Sequence, residues 1–143
     1  MITGVGTDII EVERVAGALT KFGMRFRNRI FTPGEQEFCE AFKLPNERYA
    51  ARWAAKEAAV KALGTGFTQG IRWVDVEVVA NELGQPLIRL AGRASEIARE
   101  QGVRSAHVSL SHNRSLATAV VVLATTPVEG AFARFDPHLV ATS

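Results

Sequence analysis

An alanine-rich run in the middle of the chain constrains the fold most. Residues 53–64, WAAKEAAVKALG, combine alanines with large apolar side chains. Alanine has the highest helix propensity, and Gly64 stands where a left-handed residue commonly ends a helix. We therefore predict a helix over residues 47–63, with Asn46 as its N-cap. A helix of this length holds its side chains in fixed geometry across a small domain.

Charged side chains interrupt this helix at regular intervals. Glu57 lies at the border between the apolar face and the polar face. Glu57 and Lys61 have the i, i+4 spacing of a favourable surface ion pair, which is one interpretation of both. Arg48, Arg52 and Lys56 also recur every four residues, and this spacing predicts an exposed stripe.

A second carboxylate, Asp8, occurs in the apolar segment 2–10, where an unpaired charge would be costly to bury. Two interpretations are open. If the helix predicted from residue 11 starts one turn earlier, Asp8 is its N-cap and Glu11 is the N3 partner of a capping-box-like pair. Alternatively, Asp8 and Glu57 together can hold a hard metal ion.

Length and composition indicate one domain. A chain of 143 residues with 47% hydrophobic content can bury a substantial core, and a net charge of +2 gives no argument for nucleic-acid binding. We expect the single Cys39 to be a core residue in a reducing compartment. The N-terminus does not resemble a signal peptide, and the apolar stretch 116–124 is too short to cross a bilayer. We therefore expect a cytoplasmic protein without membrane contact.

The spacing of apolar residues predicts an α+β fold with one domain, in which a small antiparallel sheet packs with one long and several short helices. Gly4 and Gly6 lie on one face of the first strand, which would let another backbone or a ligand come close. The predicted strands are 2–8, 74–80, 87–90, 105–110 and 116–123, and the predicted helices are 11–22, 33–42, 47–63 and 93–101. The helix 33–42 opens with Thr32-Pro33-Gly34-Glu35, a helix-start signature with proline at the first helical position.

Two other segments are candidate binding surfaces. Residues 21–29, KFGMRFRNR, contain four cations and no acid, with phenylalanine and methionine between them. Such a segment is either a solvated face or a surface for an acidic partner. His112 follows a strand whose polar face carries Ser109 and Ser111, so it is either a turn residue or part of a phosphate or nucleotide site.

Three blocks of the sequence, in this order, resemble a known family. They are GVGTDII with Glu11 and Arg14, RWAAKEA with Lys61, and HVSLSH ending at His112. Together they resemble the holo-acyl-carrier-protein synthase family of 4′-phosphopantetheinyl transferases. The resemblance covers residues 1–124 as a transferase domain and leaves 125–143 as a C-terminal extension, for which a flexible tail is one interpretation.

The resemblance implies a reaction and a metal. The 4′-phosphopantetheine arm of coenzyme A would pass to a serine of an apo-acyl carrier protein, releasing adenosine 3′,5′-bisphosphate. Mg²⁺ would be held by Asp8 and Glu57, and Lys61 would neutralise a phosphate. The serine proton would be taken by Glu57 or by a metal-bound water oriented by Glu57 or Asp8.

The resemblance also implies two binding surfaces and a trimer with sites between subunits. The carrier protein of this family is acidic, and our candidates for its docking are Arg14, Arg25 and Phe26. The extension departs from the family pattern, and it is either a disordered tail or a cover for a subunit edge through Phe132 and Phe135. The candidate coenzyme A-binding residues are Arg52, Lys61, Gly64, Thr65, Gly66 and His112.

Two other functions remain alternatives at this point. A metal-dependent hydrolase of nucleotide pyrophosphates would use the same two carboxylates but no protein acceptor, and it would leave the basic segment 21–29 unexplained. A non-enzymatic coenzyme A-binding module would use Asp8 only as a helix cap.

Overall fold

The computed structural model describes residues 1–126. Within that range, strands and α-helices follow one another in the predicted order, which confirms the α+β class. The predicted contacts of Phe132 and Phe135, and nearly all of the predicted extension, lie outside the described residues. The elements are β1 (Ile2–Glu11), α1 (Val12–Ile30), α2 (Pro33–Glu40), α3 (Pro45–Leu63), β2 (Val76–Ala80), β3 (Pro86–Leu90), α4 (Gly92–Glu100), β4 (Ser105–His112) and β5 (Leu116–Ala124).

The strands are antiparallel and are divided between two sheets, one with the order β1-β5-β4 and one formed by the hairpin β2-β3. Helix α3 lies across the larger sheet. A Cβ atom at Gly4 would collide with the carbonyl oxygen of Ala62, and one at Gly6 with that of Ala58. The predicted close approach at both glycines is confirmed, and the backbone that approaches is that of α3.

The two faces of the larger sheet differ because side chains alternate along a strand. On the face covered by α3, Ala117, Ala119 and Val121 of β5 are buried. On the opposite face, Val5 and Ile9 of β1 are exposed. The sheet therefore has one covered face and one open face, and the open face includes exposed apolar side chains of β1.

Helix α3 begins and ends close to the predicted positions. Gly64, at φ 79°, terminates it in the left-handed conformation, as predicted. The N-cap prediction for Asn46 is wrong, because Pro45 occupies the first turn and Leu44 is the N-cap. Proline is favoured at the first helical position, since its missing N–H would have no partner there.

The predicted exposed stripe on α3 is also wrong. Arg52 is 4% exposed and Lys56 is fully buried, while Arg48 keeps partial exposure. Helices α1 and α2 and strand β2 pack around α3 on the sides that the sheet does not cover. Because α3 is central to the domain, its i, i+4 cations do not mark a solvent face.

The interpretation of Asp8 as a helix cap is wrong. Asp8 lies within β1, where it pairs with Ala119 of β5, and α1 begins only at Val12. Helix α1 also extends to Ile30 rather than ending near residue 22, with non-helical backbone at Gly23.

The start of α2 is confirmed in detail. Thr32 is the N-cap, and its side chain accepts a hydrogen bond from the Glu35 N–H while the Glu35 carboxylate accepts one from the Thr32 N–H. Cys39 is buried in the core, as predicted, and burial raises the pKa of its thiol to about 12. No helix in the described part of the chain is both long and apolar enough to span a membrane.

Candidate active site

The close packing of α3 on β1 brings Asp8 and Lys61 together, 53 residues apart in the chain. The Lys61 Nζ atom lies 3.0 Å from Asp8 Oδ1 and donates a second hydrogen bond to the Thr7 carbonyl oxygen at 3.1 Å. Lys61 therefore forms an ion pair with Asp8. The i, i+4 surface ion pair with Glu57, one interpretation of the sequence, is not formed. The Asp8 side chain is largely shielded, whereas that of Lys61 is 52% exposed.

Glu57 lies one turn before Lys61 on α3, close enough to Asp8 for the two carboxylates to interact electrostatically. Partial burial raises the pKa of the Glu57 carboxyl, the negative charge of Asp8 raises it further, and Lys61 opposes both effects. Glu57 has no ion pair within 4.0 Å among residues 1–126. The site thus contains two neighbouring carboxylates and one ammonium group, with one carboxylate unpaired.

This donor set fits Mg²⁺. The ion needs only one or two protein carboxylates when substrate phosphates and water complete its coordination. Asp8 and Glu57 repel each other electrostatically, and a divalent cation between them would relieve that repulsion. The residues that the sequence nominated as metal ligands are therefore near one another and chemically suitable.

A cavity of about 700 Å³ opens beside this group. Asp8 and Lys61 line one side, and strands β4 and β5 supply the hydroxyl groups of Ser109, Ser111 and Thr118 on the other. The predicted alternation of β4 places Ser109 and Ser111 on its exposed face, as the structure confirms. The cavity combines charge with hydroxyl donors, which suits a polar, anionic substrate.

A second cavity, of about 280 Å³, contains Arg52 and His112 and shares Leu110 with the lining of the first. The Arg52 guanidinium lies 3.9 Å from the ring centroid of Phe38. Burial lowers the pKa of Arg52, and its Nε atom has no hydrogen-bond partner among residues 1–126. A buried guanidinium without a carboxylate partner would be stabilised by an anionic ligand.

His112 ends β4, and its Nδ1 atom lies 3.2 Å from Glu47 Oε2 on α3. It is therefore neither a free turn residue nor isolated. The adjacent Arg48 stacks over Phe42 at 4.0 Å. Sequence reasoning missed Glu47, Phe38 and Phe42 as neighbours of this cavity, because Glu47 and His112 are 65 residues apart and no local pattern connects them.

The turn Gly64-Thr65-Gly66 follows Lys61 directly at the end of α3. Its backbone N–H groups are already used: that of Gly64 donates to the Lys61 carbonyl, and those of Thr65 and Gly66 donate to Val60. The turn therefore terminates the helix. Its predicted part in coenzyme A binding stays a prediction.

The candidate docking residues all belong to α1. Arg14 and Arg25 are exposed, and neither has an ion pair among residues 1–126. Phe26 is half-buried, with its ring centroid 6.1 Å from that of Trp53. Phe22 and Met24 beside them are exposed apolar side chains.

A buried ion pair next to Glu57 was not predicted from the sequence. Lys56 Nζ lies 2.7 Å from Glu35 Oε1, and both side chains are fully buried. Lys56 also donates to the carbonyl oxygens of Trp73 and Val76, and Glu35 accepts from the Val78 N–H. The available signals were the Thr32 capping box, which fixes Glu35, and the alanines at 54, 55, 58 and 59 around Lys56.

Comparison with known proteins identifies the family of the chain. The family model described as the 4′-phosphopantetheinyl transferase superfamily matches residues 4–121. A holo-[acyl-carrier-protein] synthase of Desulfovibrio desulfuricans is 51% identical over 123 residues, which cover 86% of this chain and 98% of that relative.

Solved structures agree as well. A holo-[acyl-carrier-protein] synthase from Neisseria meningitidis superposes with a TM-score of 0.78 at 35% identity, covering 87% of this chain and 99% of that one. The Helicobacter pylori synthase, solved in complex with coenzyme A, gives a TM-score of 0.74 at 29% identity, with 84% of this chain and 99% of that chain covered. By sequence and by fold, the chain belongs to the 4′-phosphopantetheinyl transferase superfamily.

Proposed function

We propose that this protein transfers the 4′-phosphopantetheine group of coenzyme A to a serine of an apo-acyl carrier protein. The observation that carries the proposal is the Asp8–Lys61 ion pair at the wall of a cavity, with the carboxylate of Glu57 close enough to interact electrostatically with both. We infer the two substrates from the similarity to relatives named holo-[acyl-carrier-protein] synthase. The second product is adenosine 3′,5′-bisphosphate.

In the proposed reaction, the serine hydroxyl oxygen attacks the phosphorus next to the pantetheine arm. The bond from that phosphorus to the bridging pyrophosphate oxygen breaks, and the electron pair leaves with the adenosine bisphosphate. Glu57, the carboxylate without an ion-pair partner, accepts the serine proton directly, or a water oriented by Glu57 or Asp8 accepts it. Lys61 neutralises charge on a phosphate oxygen as a point charge.

Asp8 and Glu57 are the proposed ligands of Mg²⁺. When bound, the ion would stabilise negative charge on the phosphoryl oxygens and on the leaving group. Lys61 holds Asp8 in place through the 3.0 Å ion pair, so the carboxylate is oriented before the substrate arrives.

The coenzyme A end of the site is proposed at the cavity that contains Arg52 and His112. Arg52 offers a buried guanidinium with an unsatisfied Nε donor. His112 is oriented by Glu47. Both groups suit phosphate oxygens, because Arg provides a fixed donor geometry and a protonated His adds positive charge.

An acidic carrier protein is proposed to dock on α1 at Arg14, Arg25 and Phe26. The exposed cations would steer the partner, and the neighbouring apolar side chains would provide affinity. If charge reversal at both Arg14 and Arg25 left the KM for the carrier unchanged, this surface would be wrong.

We also propose a homotrimer whose subunits bury the open face of the larger sheet. Val5 and Ile9 are exposed there, and exposed apolar patches of this kind commonly mark interfaces. A monomeric mass by light scattering would contradict the trimer. The cytoplasmic location stays part of the proposal and agrees with the buried free thiol of Cys39.

The test is the intact mass of an apo-acyl carrier protein after incubation with this protein, coenzyme A and Mg²⁺. We expect a gain of one phosphopantetheine on the acceptor serine. A chelator should abolish this gain, as should a carrier that lacks the serine.

The Glu57→Gln variant should lose about 100-fold or more in rate, a typical loss when a general base is removed. Glu96→Gln, in an exposed ion pair on α4, is the matched control and should keep the rate.

Other outcomes separate the alternatives. Cleavage of coenzyme A without any change in carrier mass would indicate a pyrophosphate hydrolase. Binding of coenzyme A without reaction would indicate a binding module, although its premise that Asp8 is a helix cap does not hold. A Glu57→Gln variant with full rate would refute the role of Glu57 as the base.

A further inference from the structure

Helix α1 consists of two segments joined at Gly23. The backbone of Gly23 has φ 72° and ψ −162°, a region that is essentially restricted to glycine. A Cβ atom built at Gly23 would meet nothing within 4 Å. The position therefore requires glycine for its backbone conformation and not for lack of space.

The first segment, before Gly23, is fixed to the sheet. The Val12 N–H donates to the Ser115 carbonyl oxygen at 2.8 Å, which ties the start of α1 to the β4–β5 turn. Val15 and Leu19 are buried at helical spacing. This segment cannot tilt without exposing core side chains.

The second segment is fixed to α2 and α3. Ile30 is buried, and Arg27 lies 3.0 Å from Glu40 of α2. The Phe26 ring packs against Trp53 of α3. Because both segments are anchored, the conformation at Gly23 determines the angle between them.

The break divides the basic and apolar surface of α1. Arg14 lies on the first segment and Arg25 on the second, and both are exposed. Phe22 and Met24 flank the break, 56% and 58% exposed. In an uninterrupted helix, successive residues turn by about 100°, so residues 22 and 24 would point in nearly opposite directions. The break removes that constraint at the centre of the surface.

We infer that Gly23 is a positioning residue for carrier recognition: its glycine-only conformation sets the relative orientation of the Arg14 segment and the Arg25–Phe26 segment. The inference rests on the proposed function, since it assumes that α1 binds an acidic carrier protein. Gly23 itself needs no contact with the carrier. An L-residue there favours a continuous helix, which would pull one segment from its anchors and separate the two halves of the surface.

The chain offers a matched control for this inference. Gly17 lies in the first segment of the same helix, is exposed, and would also have open space around a Cβ atom. Its backbone does not have the positive φ of Gly23. Gly17→Ala should therefore be tolerated, whereas Gly23→Ala should not.

The experiment compares steady-state kinetics of Gly23→Ala, Gly17→Ala and the unchanged protein in the carrier-modification assay. Gly23→Ala should raise the KM for the carrier about tenfold or more, the effect of losing one or two significant interface contacts. The KM for coenzyme A should stay unchanged, because neither Gly23 nor its segment lines the cavities of the active site. Gly17→Ala should change neither constant.

A change of chirality tests the same point if Gly23→Ala folds poorly. Replacement of Gly23 by D-alanine, introduced by ligation of a synthetic N-terminal segment, adds the same methyl group but favours positive φ. The D-alanine protein should keep the original KM for the carrier. If it shows the same defect as the L-alanine protein, or if Gly23→Ala leaves this KM unchanged, the inference is overturned.

Arg25→Glu in the same assay separates the inference from the function. A raised KM for the carrier in Arg25→Glu, with none in Gly23→Ala, would overturn only the role of Gly23. An unchanged KM in Arg25→Glu would remove the docking surface and the inference with it. Failure of the unchanged protein to modify any carrier would contradict the proposed function itself.

Discussion

Lys56 and Glu57 are neighbours on α3, yet the two residues have opposite surroundings. Lys56 is fully buried, ion-paired with Glu35 and hydrogen-bonded to two carbonyl oxygens. Glu57 is partly exposed, lies near the like charge of Asp8, and has no ion pair within the described residues. One turn of α3 thus contains Lys56, whose charge is fully paired within the protein, and Glu57, whose charge has no ion-pair partner.

The difference separates structure from function. A buried ion pair is costly to disturb, because removing one partner leaves the other charge in a low-dielectric environment without a counter-charge. An unpaired carboxylate at a cavity contributes little to folding but can bind a cation or accept a proton. The Lys56 network also fixes the position of α3 against α2 and β2, and so supports the geometry in which Glu57 lies near Asp8.

The largest effect is expected at the buried pair. Lys56→Met should lower the free energy of unfolding by about 3–5 kcal/mol, because it leaves the Glu35 carboxylate buried without its counter-charge. Urea denaturation at fixed protein concentration measures this change in the free energy of unfolding. The double variant Lys56→Met/Glu35→Gln should recover part of the loss. A loss below about 1 kcal/mol in the single variant would show that the pair is not a structural element.

An intermediate effect is expected on proton binding at Glu57 in the metal-free protein. Asp8→Asn should lower the pKa of Glu57, because it removes a neighbouring negative charge, and Lys61→Met should raise it. Carbon-13 NMR titration of the glutamate carboxyls measures both shifts. Equal pKa values in the three proteins would show that Glu57 does not sense Asp8.

The sign of the accompanying stability change follows from linkage. The pKa of Glu57 is raised in the folded state. At a pH between the ordinary glutamate pKa and this raised pKa, the folded protein therefore holds a proton that the unfolded chain has lost. Its contribution to stability is present at low pH and is lost as the pH rises from the ordinary glutamate value through the raised one. Asp8→Asn should make this dependence shallower.

The smallest effect on stability is expected at the exposed pair. Lys61→Met should change the free energy of unfolding by less than about 1 kcal/mol, because solvent screens an ammonium group that is 52% exposed. The same urea experiment provides the comparison with Lys56→Met. If the two lysine variants were equally destabilised, the distinction between a structural and a functional charge on α3 would be wrong.

Local sequence patterns predicted much of this fold and site. Apolar periodicity located the elements, the Thr32-to-Glu35 motif predicted the start of α2, and the paired glycines of β1 predicted the approach of a backbone. Asp8 and Glu57 were nominated from their surroundings in the sequence and Lys61 from the family resemblance; Lys61 contacts Asp8 in the structure, and the roles of all three are proposals. The apolar spacing, the Thr32-to-Glu35 motif and the glycines of β1 are all local features of the sequence, which is why they could be predicted from it.

The features that the sequence did not predict depend on packing between distant segments. The spacing of Arg52 and Lys56 is that of an exposed stripe, and only the elements surrounding α3 bury them. The His112–Glu47 pair joins residues that no periodicity relates. Gly23 interrupts a regular apolar pattern, so the continuation of α1 to Ile30 was hidden by the break.

The most direct test of the account is divalent-cation binding at Asp8 and Glu57, measured with Mn²⁺ by electron paramagnetic resonance in the presence of coenzyme A. The protein should bind Mn²⁺ saturably. Glu57→Gln and Asp8→Asn should each weaken binding by about tenfold or more, because few protein ligands hold such an ion. The control variant Glu96→Gln should bind as the unchanged protein does. Unaltered Mn²⁺ affinity in Glu57→Gln would contradict the claim that the unpaired charge on α3 is the functional one.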